Sequence, residues 1–230
     1  MGDVSRMPGP KIKSGISDDS PRVLAVLSSL LQKMVTENDK YIIAQDVDAP
    51  TSPSLQNNPM TLQRLTVFHG HKAPLISVEQ YVERIFKYAN CSPSCFVVAY
   101  AYLDRFIHQQ PGIPITSLNV HRLLITSVMV AAKFLDDTYY NNAYYGKVGG
   151  VSTQEMNRLE LEFLFRLGFR LHVTLEVFDS YCSHLERELA GYINADRALL
   201  PGGPSEEATP RVKPTTSSYQ QLTHILESVS

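Results

Sequence analysis

Residues 116–137 read TSLNVHRLLITSVMVAAKFLDD, and the order of apolar and polar side chains in this stretch decides the fold. Leu123, Leu124, Ile125, Val128, Val130, Ala131 and Leu135 spread around most of a helical circumference. A helix that is apolar on nearly every side is stable only when other elements surround it. The stretch is therefore expected to be the central helix of a bundle, capped by Thr116 and ending at Asp136 or Asp137.

Working outward, Ser92 and Pro93 open a helix that runs through Phe96, Val97, Tyr100 and Leu103 to about Gln109, where Pro111, Gly112 and Pro114 stop it. Ser77 and Gln80 have capping-box spacing ahead of Tyr81, Ile85 and Tyr88. Ser20 and Pro21 begin an amphipathic helix with Val23, Leu27, Leu30, Leu31 and Met34 at helical spacing, ending near Thr36. Pro50, Pro53 and Pro59 mark residues 46–59 as a linker. On the other side, residues 139–150 are rich in Tyr and Gly and read as a loop. Ser152 with Glu155 forms a second capping box, and Gly168 ends that helix. Thr174 starts a further helix, with Val177, Phe178, Tyr181 and Leu185 on one face, ending near Leu189. Beyond Leu200, Pro, Gly, Ser and Thr dominate, with a short helix at 219–229 the one regular feature expected there. The expected fold class is all-α. It comprises an N-terminal tail (1–59) with one amphipathic helix and a Pro-rich linker, a five-helix domain (60–190), and a flexible C-terminal tail (191–230).

Composition narrows the function classes. The 230 residues carry 21 Lys and Arg against 23 Asp and Glu, so the net charge of −2 gives no electrostatic basis for direct nucleic-acid or membrane-surface binding. No apolar run approaches the roughly 18 residues that would span a bilayer. Residues 1–20 lack the apolar stretch of a secretory signal, and Arg6 stands where a myristoylation pattern after Gly2 needs a small hydroxylated residue. Three cysteines, an odd number without a secretory signal, predict reduced thiols in an intracellular protein of the nucleus and/or cytoplasm. Cys91 and Cys95 have no second cysteine pair to complete a zinc site, and His69 and His71 fall in a loop. There is no Gly-rich phosphate loop, nucleophile motif or helical histidine pair, and His121, His172 and His184 are scattered singly. The expectation is a non-enzymatic protein with no metal, cofactor or small-molecule ligand.

Two charges stand where charges are costly. Lys133 ends the apolar run 128–132 and is followed by Phe134 and Leu135. Glu160, at 100° per residue, falls between Met156 and Leu164, with Phe163 and Leu167 within about 60°. Burying such groups costs several kcal/mol each unless they are paired and hydrogen-bonded. Glu162 differs: Arg158 and Arg166 flank it at four-residue spacing, which predicts a solvated ion-pair face worth a few tenths of a kcal/mol. Lys133 shares its face with Thr126, Met129, Val130 and Asp137, so three readings stand open. It pairs with Asp137, it extends to water, or it joins Glu160 in a two-pronged site that offers donors and acceptors to another protein's backbone. Asp104 and Arg105 follow Tyr102 and Leu103, and Asp104 lies at pairing distance along the helix from His108.

In order and spacing, Tyr102-Leu103-Asp104-Arg105-Phe106, Ala131-Ala132-Lys133-Phe134, and Leu159-Glu160 with Leu164, Leu167 and Phe169 resemble the cyclin box. The finer pattern resembles the P-type (U-type) cyclins of plants, which are similar to fungal cyclins of phosphate signalling. It rests on Lys87-Tyr88 ahead of Cys91-Ser92-Pro93, Val120-His121-Arg122-Leu123, Lys133 to Asp137, and Tyr144-Tyr145 to Val148-Gly149-Gly150. The resemblance covers roughly residues 69–189. It implies a non-catalytic subunit that binds and activates a cyclin-dependent protein kinase, in cell-cycle control and with phosphate or nutrient signalling as an input. By that resemblance Lys133 and Glu160 hydrogen-bond the kinase backbone, and Phe134, Leu164 and Phe169 pack against its regulatory helix. Asp104 and Arg105 are structural polar residues of the box. The pair is expected to be unsatisfied until the partner arrives.

The chain also departs from the family. Ala73-Pro74-Leu75-Ile76 stands where mitotic cyclins carry the Arg that meets the Asp of the second helix, so Asp104 needs another partner. The chain has no Trp, the residue on which those cyclins build a substrate-recruiting patch. Two alternatives accompany the main reading: an adaptor that binds a kinase without activating it, and a transcription-factor-like protein of the same helical fold. The latter predicts two boxes, a basic surface and often a zinc ribbon, none of which is evident. Ser20-Pro21, Ser52-Pro53 and Thr209-Pro210 are candidate sites of proline-directed phosphorylation.

Overall fold

The computed structural model describes residues 22–47 and 66–198, and among these every regular element is helical. The helices are α1 (Arg22–Val47), α2 (Val78–Ala89), α3 (Ser94–Gln109), α4 (Val120–Leu135), α5 (Asn142–Gly149), α6 (Thr153–Arg166) and α7 (Leu175–Ala198). The fold is all-α. Helix α4 is its axis, in contact with α2, α3, α5 and α6. Its run from Leu123 to Ala132 is buried throughout. The polar members of that run bond within the helix, Thr126 Oγ1 donating to the Arg122 carbonyl (2.6 Å) and Ser127 Oγ to the Leu124 carbonyl (2.9 Å). Buried hydroxyls satisfied in this way cost little.

The helix starts are partly as the sequence predicts. Ser77 Oγ accepts from the Gln80 N–H (3.1 Å) and the Gln80 side chain returns to the Ser77 N–H (3.4 Å), a complete capping box. Ser152 Oγ accepts from the Glu155 N–H (3.1 Å), but the Glu155 carboxylate pairs with Arg122, so only half of that box forms. Two starts shift. α3 begins at Ser94, and Pro93 before it has helical φ and no side-chain cap. The Ser92 N–H is met instead by the Asp136 carboxylate (3.0 Å). α4 begins at Val120 rather than behind Thr116. Thr116 and Asn119 form a turn in which Asn119 Oδ1 accepts the Thr116 N–H (2.8 Å), and the Thr116 hydroxyl is buried without a partner. Gly168 ends α6 at φ +58°, a left-handed position as expected of a glycine stop.

Three helical stretches depart from expectation. α1 runs to Val47, well past Thr36, because Asn38 and Asp39 find partners outside the helix: Asn38 Nδ2 donates to the Ile115 carbonyl (2.8 Å) and Asp39 accepts from the Ser117 N–H (3.2 Å). Leu24, Leu27, Leu31 and Val35 put α1 into the same core as the other helices. The stretch read as a loop at 139–150 contains α5. Asn141 caps it, its side chain accepting from the Tyr144 N–H, while Tyr145 and Val148 are buried and Tyr81 Oη donates to the Gly149 carbonyl (2.9 Å). α7 continues through Ala198, where a tail was expected from 191. The Ser20-Pro21 start, the linker prolines, the Ser-Pro and Thr-Pro dipeptides and the 219–229 segment lie outside the described residues.

Candidate functional site

The last turn of α4 and the middle of α6 meet through α5. Lys133 Nζ lies 2.7 Å from Glu160 Oε1, not against Asp137. Asn142, the first residue of α5, accepts from Lys133 Nζ through Oδ1 and donates to Glu160 Oε2 through Nδ2 (2.7 Å). The same amide donates to Asn157 Oδ1 (2.7 Å). The Lys133 and Glu160 side chains are 24% and 20% exposed, so the pair sits at the rim of the core. This corrects the expectation of two charges left unsatisfied before a partner arrives. They neutralise each other, and Asn142 fixes both heads.

Bonding capacity nevertheless remains. An ammonium has three donors and a carboxylate about four acceptor sites; Lys133 uses two donors, and each Glu160 oxygen accepts one bond. The pair therefore presents a pre-oriented donor beside pre-oriented acceptors, the array that an exposed backbone N–H and C=O of another chain would match. Little side-chain entropy remains to be lost on contact, because the network already holds both side chains.

Exposed apolar side chains stand on the same two helices and on the turn after α6. Phe134, which follows Lys133, is 49% exposed, Phe165 is 62% exposed and Phe169 is 56% exposed, with Leu161 exposed as well and Leu164 half-buried. Phe165 and Phe169 meet edge to face with ring centroids 5.2 Å apart. Phe134 and Phe169 also line one groove, and exposed apolar side chains that cluster in this way are a feature that interaction surfaces share. Sequence reading singled out Phe134, Leu164 and Phe169 but missed Leu161, Phe165, Asn142 and Asn157. The signal for Leu161 and Phe165 was available: they stand four apart on the side of α6 turned away from the core stripe, where polar residues would be expected.

Phe169 is held in an unusual backbone conformation, φ +56°, which is costly for a bulky side chain. Its neighbours over-determine it. The Phe169 N–H donates to the Leu164 carbonyl (2.9 Å), Tyr102 Oη donates to the Leu171 carbonyl (2.8 Å), and Arg105 donates to the carbonyls of Arg170 and His172. Arg105 thus supports the turn that presents Phe169, and it does not pair with Asp104. Asp104 accepts from Tyr181 Oη on α7 (2.7 Å), the partner that replaces the missing arginine, and its other oxygen lies 3.4 Å from His108. Burial foremost, and then this hydrogen bond to Asp104, push the Tyr181 phenol upward.

The remaining candidates play local parts. Glu162 pairs with Arg166, which also reaches Gln110 (2.9 Å), and Arg158 is not part of that pair. All three cysteines are free thiols. Contact with Cys91 and burial push the Cys95 thiol upward, and burial pushes Cys182 up to about 12, so neither supplies a thiolate. No helix among the described residues is long and apolar enough to cross a membrane.

Comparison with known proteins identifies the family. The family model described as Cyclin matches residues 21–171, a span that includes α1 through α6 and stops before α7. Cyclin-U4-1 of Arabidopsis thaliana is 59% identical over 170 residues, covering 73% of this chain and 76% of that protein. Cyclin-U1-1 of the same plant is 46% identical over 188 residues (82% and 83% covered), and Cyclin-P4-1 of Oryza sativa subsp. japonica is 48% identical over 174 residues (76% and 77%). The all-helical core, the motif order along it and a match over most of its length make this chain a member of the cyclin family, similar to the plant U-type and P-type cyclins.

Proposed function

We propose that this cyclin is the regulatory, non-catalytic subunit that binds and activates a cyclin-dependent protein kinase through the surface centred on Lys133 and Glu160. The observation that carries the proposal is the exposed aromatic surface of Phe134, Phe165 and Phe169 beside an ion pair already oriented by Asn142. In this reading the Lys133 ammonium and the Glu160 carboxylate bond the kinase backbone just before its mobile regulatory helix. Phe134, Leu164 and Phe169 pack against the helix itself. Apolar contact supplies affinity, and the polar pair fixes register. Docking then biases a bistable helix that must carry one half of the kinase's catalytic Lys–Glu ion pair. Asp104 and Arg105 act from behind, tying α7 and the Phe169 turn to α3. The cellular role that follows is control of cell division, with phosphate or nutrient state as the input suggested by resemblance to fungal phosphate-signalling cyclins.

The test is reconstitution of the full chain with a cyclin-dependent kinase and a histone-phosphorylation assay. The proposal expects stimulated kinase activity that is lost with Glu160→Ala. Tight binding without stimulation would establish the adaptor reading instead.

A further inference from the structure

We infer that the groove beside the Lys133–Glu160 pair selects a kinase docking segment that carries a carboxylate, and that Arg170, with Arg105 behind it, receives that charge. This rests on the kinase-binding reading above and names a specificity determinant within the same surface. The groove encloses about 610 Å³ between the end of α4 and the turn after α6, with Phe134 and Phe169 among its walls. Its lining also holds the guanidinium groups of Arg105 and Arg170 and the imidazole of His172, and no carboxylate.

The nearby acids are committed elsewhere. Glu160 is neutralised by Lys133, Glu162 by Arg166, and Asp104 takes the Tyr181 hydroxyl and faces His108. None of the ion pairs among the described residues includes Arg105 or Arg170. Arg105 spends its donors on the backbone carbonyls of Arg170 and His172, which satisfies hydrogen bonds without cancelling charge. Arg170 is exposed, and the Gln109 side chain beside it is neutral: with its amide flipped so that the nitrogen donates to the Arg166 carbonyl (2.7 Å), its oxygen accepts from Arg170 at 3.2 Å. Two fixed positive charges therefore stand uncompensated at the edge of an apolar groove.

That arrangement constrains the occupant. A segment that covered these guanidinium groups with apolar atoms alone would desolvate charge without return, and a basic segment would be repelled. A carboxylate matches the planar fork of an arginine and adds a charge-assisted contact. Phe134 and Phe169 require apolar side chains on the same segment. The fitting partner is an amphipathic helix of the kinase with an acidic residue next to its apolar face.

The experiment measures affinity of the full chain for a recombinant cyclin-dependent kinase at low and at high salt. Arg170→Glu is expected to weaken binding by about ten-fold or more, and Arg170→Lys by less than about three-fold. Arg170→Gln is expected to flatten the salt dependence. Replacing the kinase's acidic residue with Arg should restore binding to Arg170→Glu. Because residue 170 is exposed, all three variants should melt with the wild type, which separates lost contact from lost fold. Wild-type affinity and an unchanged salt slope for Arg170→Glu, alongside weakened binding by Glu160→Ala, would overturn this inference and leave the kinase interface standing. If Glu160→Ala is also without effect, the interface itself is refuted.

Discussion

Phe163 and Phe165 stand two residues apart on α6 in opposite surroundings. Phe163 is fully buried, stacked on Phe106 with centroids 5.7 Å apart and edge-on to Phe68 at 6.2 Å. Phe165 is mostly in solvent and, among the described residues, meets one aromatic ring, that of Phe169. The glutamates on the same helix divide in a similar way, Glu160 locked into a network with α4 and α5, Glu162 in a local pair with Arg166. One helix thus carries a face that holds the domain together and a face with apolar area to spare. Helical phase separates them; residue type does not.

The comparison can be broken most forcefully on the core side. Phe163→Ala should cost about 3–5 kcal/mol of stability in a urea titration, because it removes a ring from a packed cluster that relaxes only partly. A loss under about 1 kcal/mol would mean that the cluster does not anchor α6. Phe165→Ala should leave the urea midpoint nearly unchanged and weaken kinase binding by about 2 kcal/mol, as expected of an aromatic anchor. A reversed result, with stability lost and binding kept, would erase the distinction between the two faces.

Acid sharpens the core side in a milder way. Burial holds His121 below its ordinary 6.5. Its Nε2 faces the Ile76 carbonyl at 3.0 Å, its ring lies against Tyr81, and its buried Nδ1 has no partner for a second proton. Burial and the nearby Arg122 likewise lower His69. Both stay neutral to lower pH in the folded state than in the unfolded chain, where they protonate more readily. Their contribution is complete above pH 6.5 and is lost as pH falls below it, and urea midpoints over that range measure the loss. His121→Gln should flatten the dependence; an unchanged pH profile would show that His121 is not the group involved.

What the sequence made legible was local. The capping box at Ser77 and Gln80, the glycine stop at 168 and the phase that parts Glu160 from Glu162 all rest on neighbours within one helical turn or on one periodicity. The central position of α4 was readable for the same reason. What escaped depends on distant contacts. α5 is only eight residues long, too short to be stable alone, and it is held by Tyr145, Val148 and the Tyr81 hydroxyl. Missing α5 meant missing Asn142, and with it the reason that Lys133 turns to Glu160 instead of Asp137. The extension of α1 depends on bonds from Asn38 and Asp39 to residues 115 and 117, which no helical periodicity encodes.

The most direct measurement is the affinity of Glu160→Ala and of Glu162→Ala, each as the full chain, for the same cyclin-dependent kinase. The account predicts a loss of at least about 2 kcal/mol for Glu160→Ala, where a pre-oriented charged contact is removed, and a change within a few tenths for Glu162→Ala. Equal affinities for the two folded variants would contradict it.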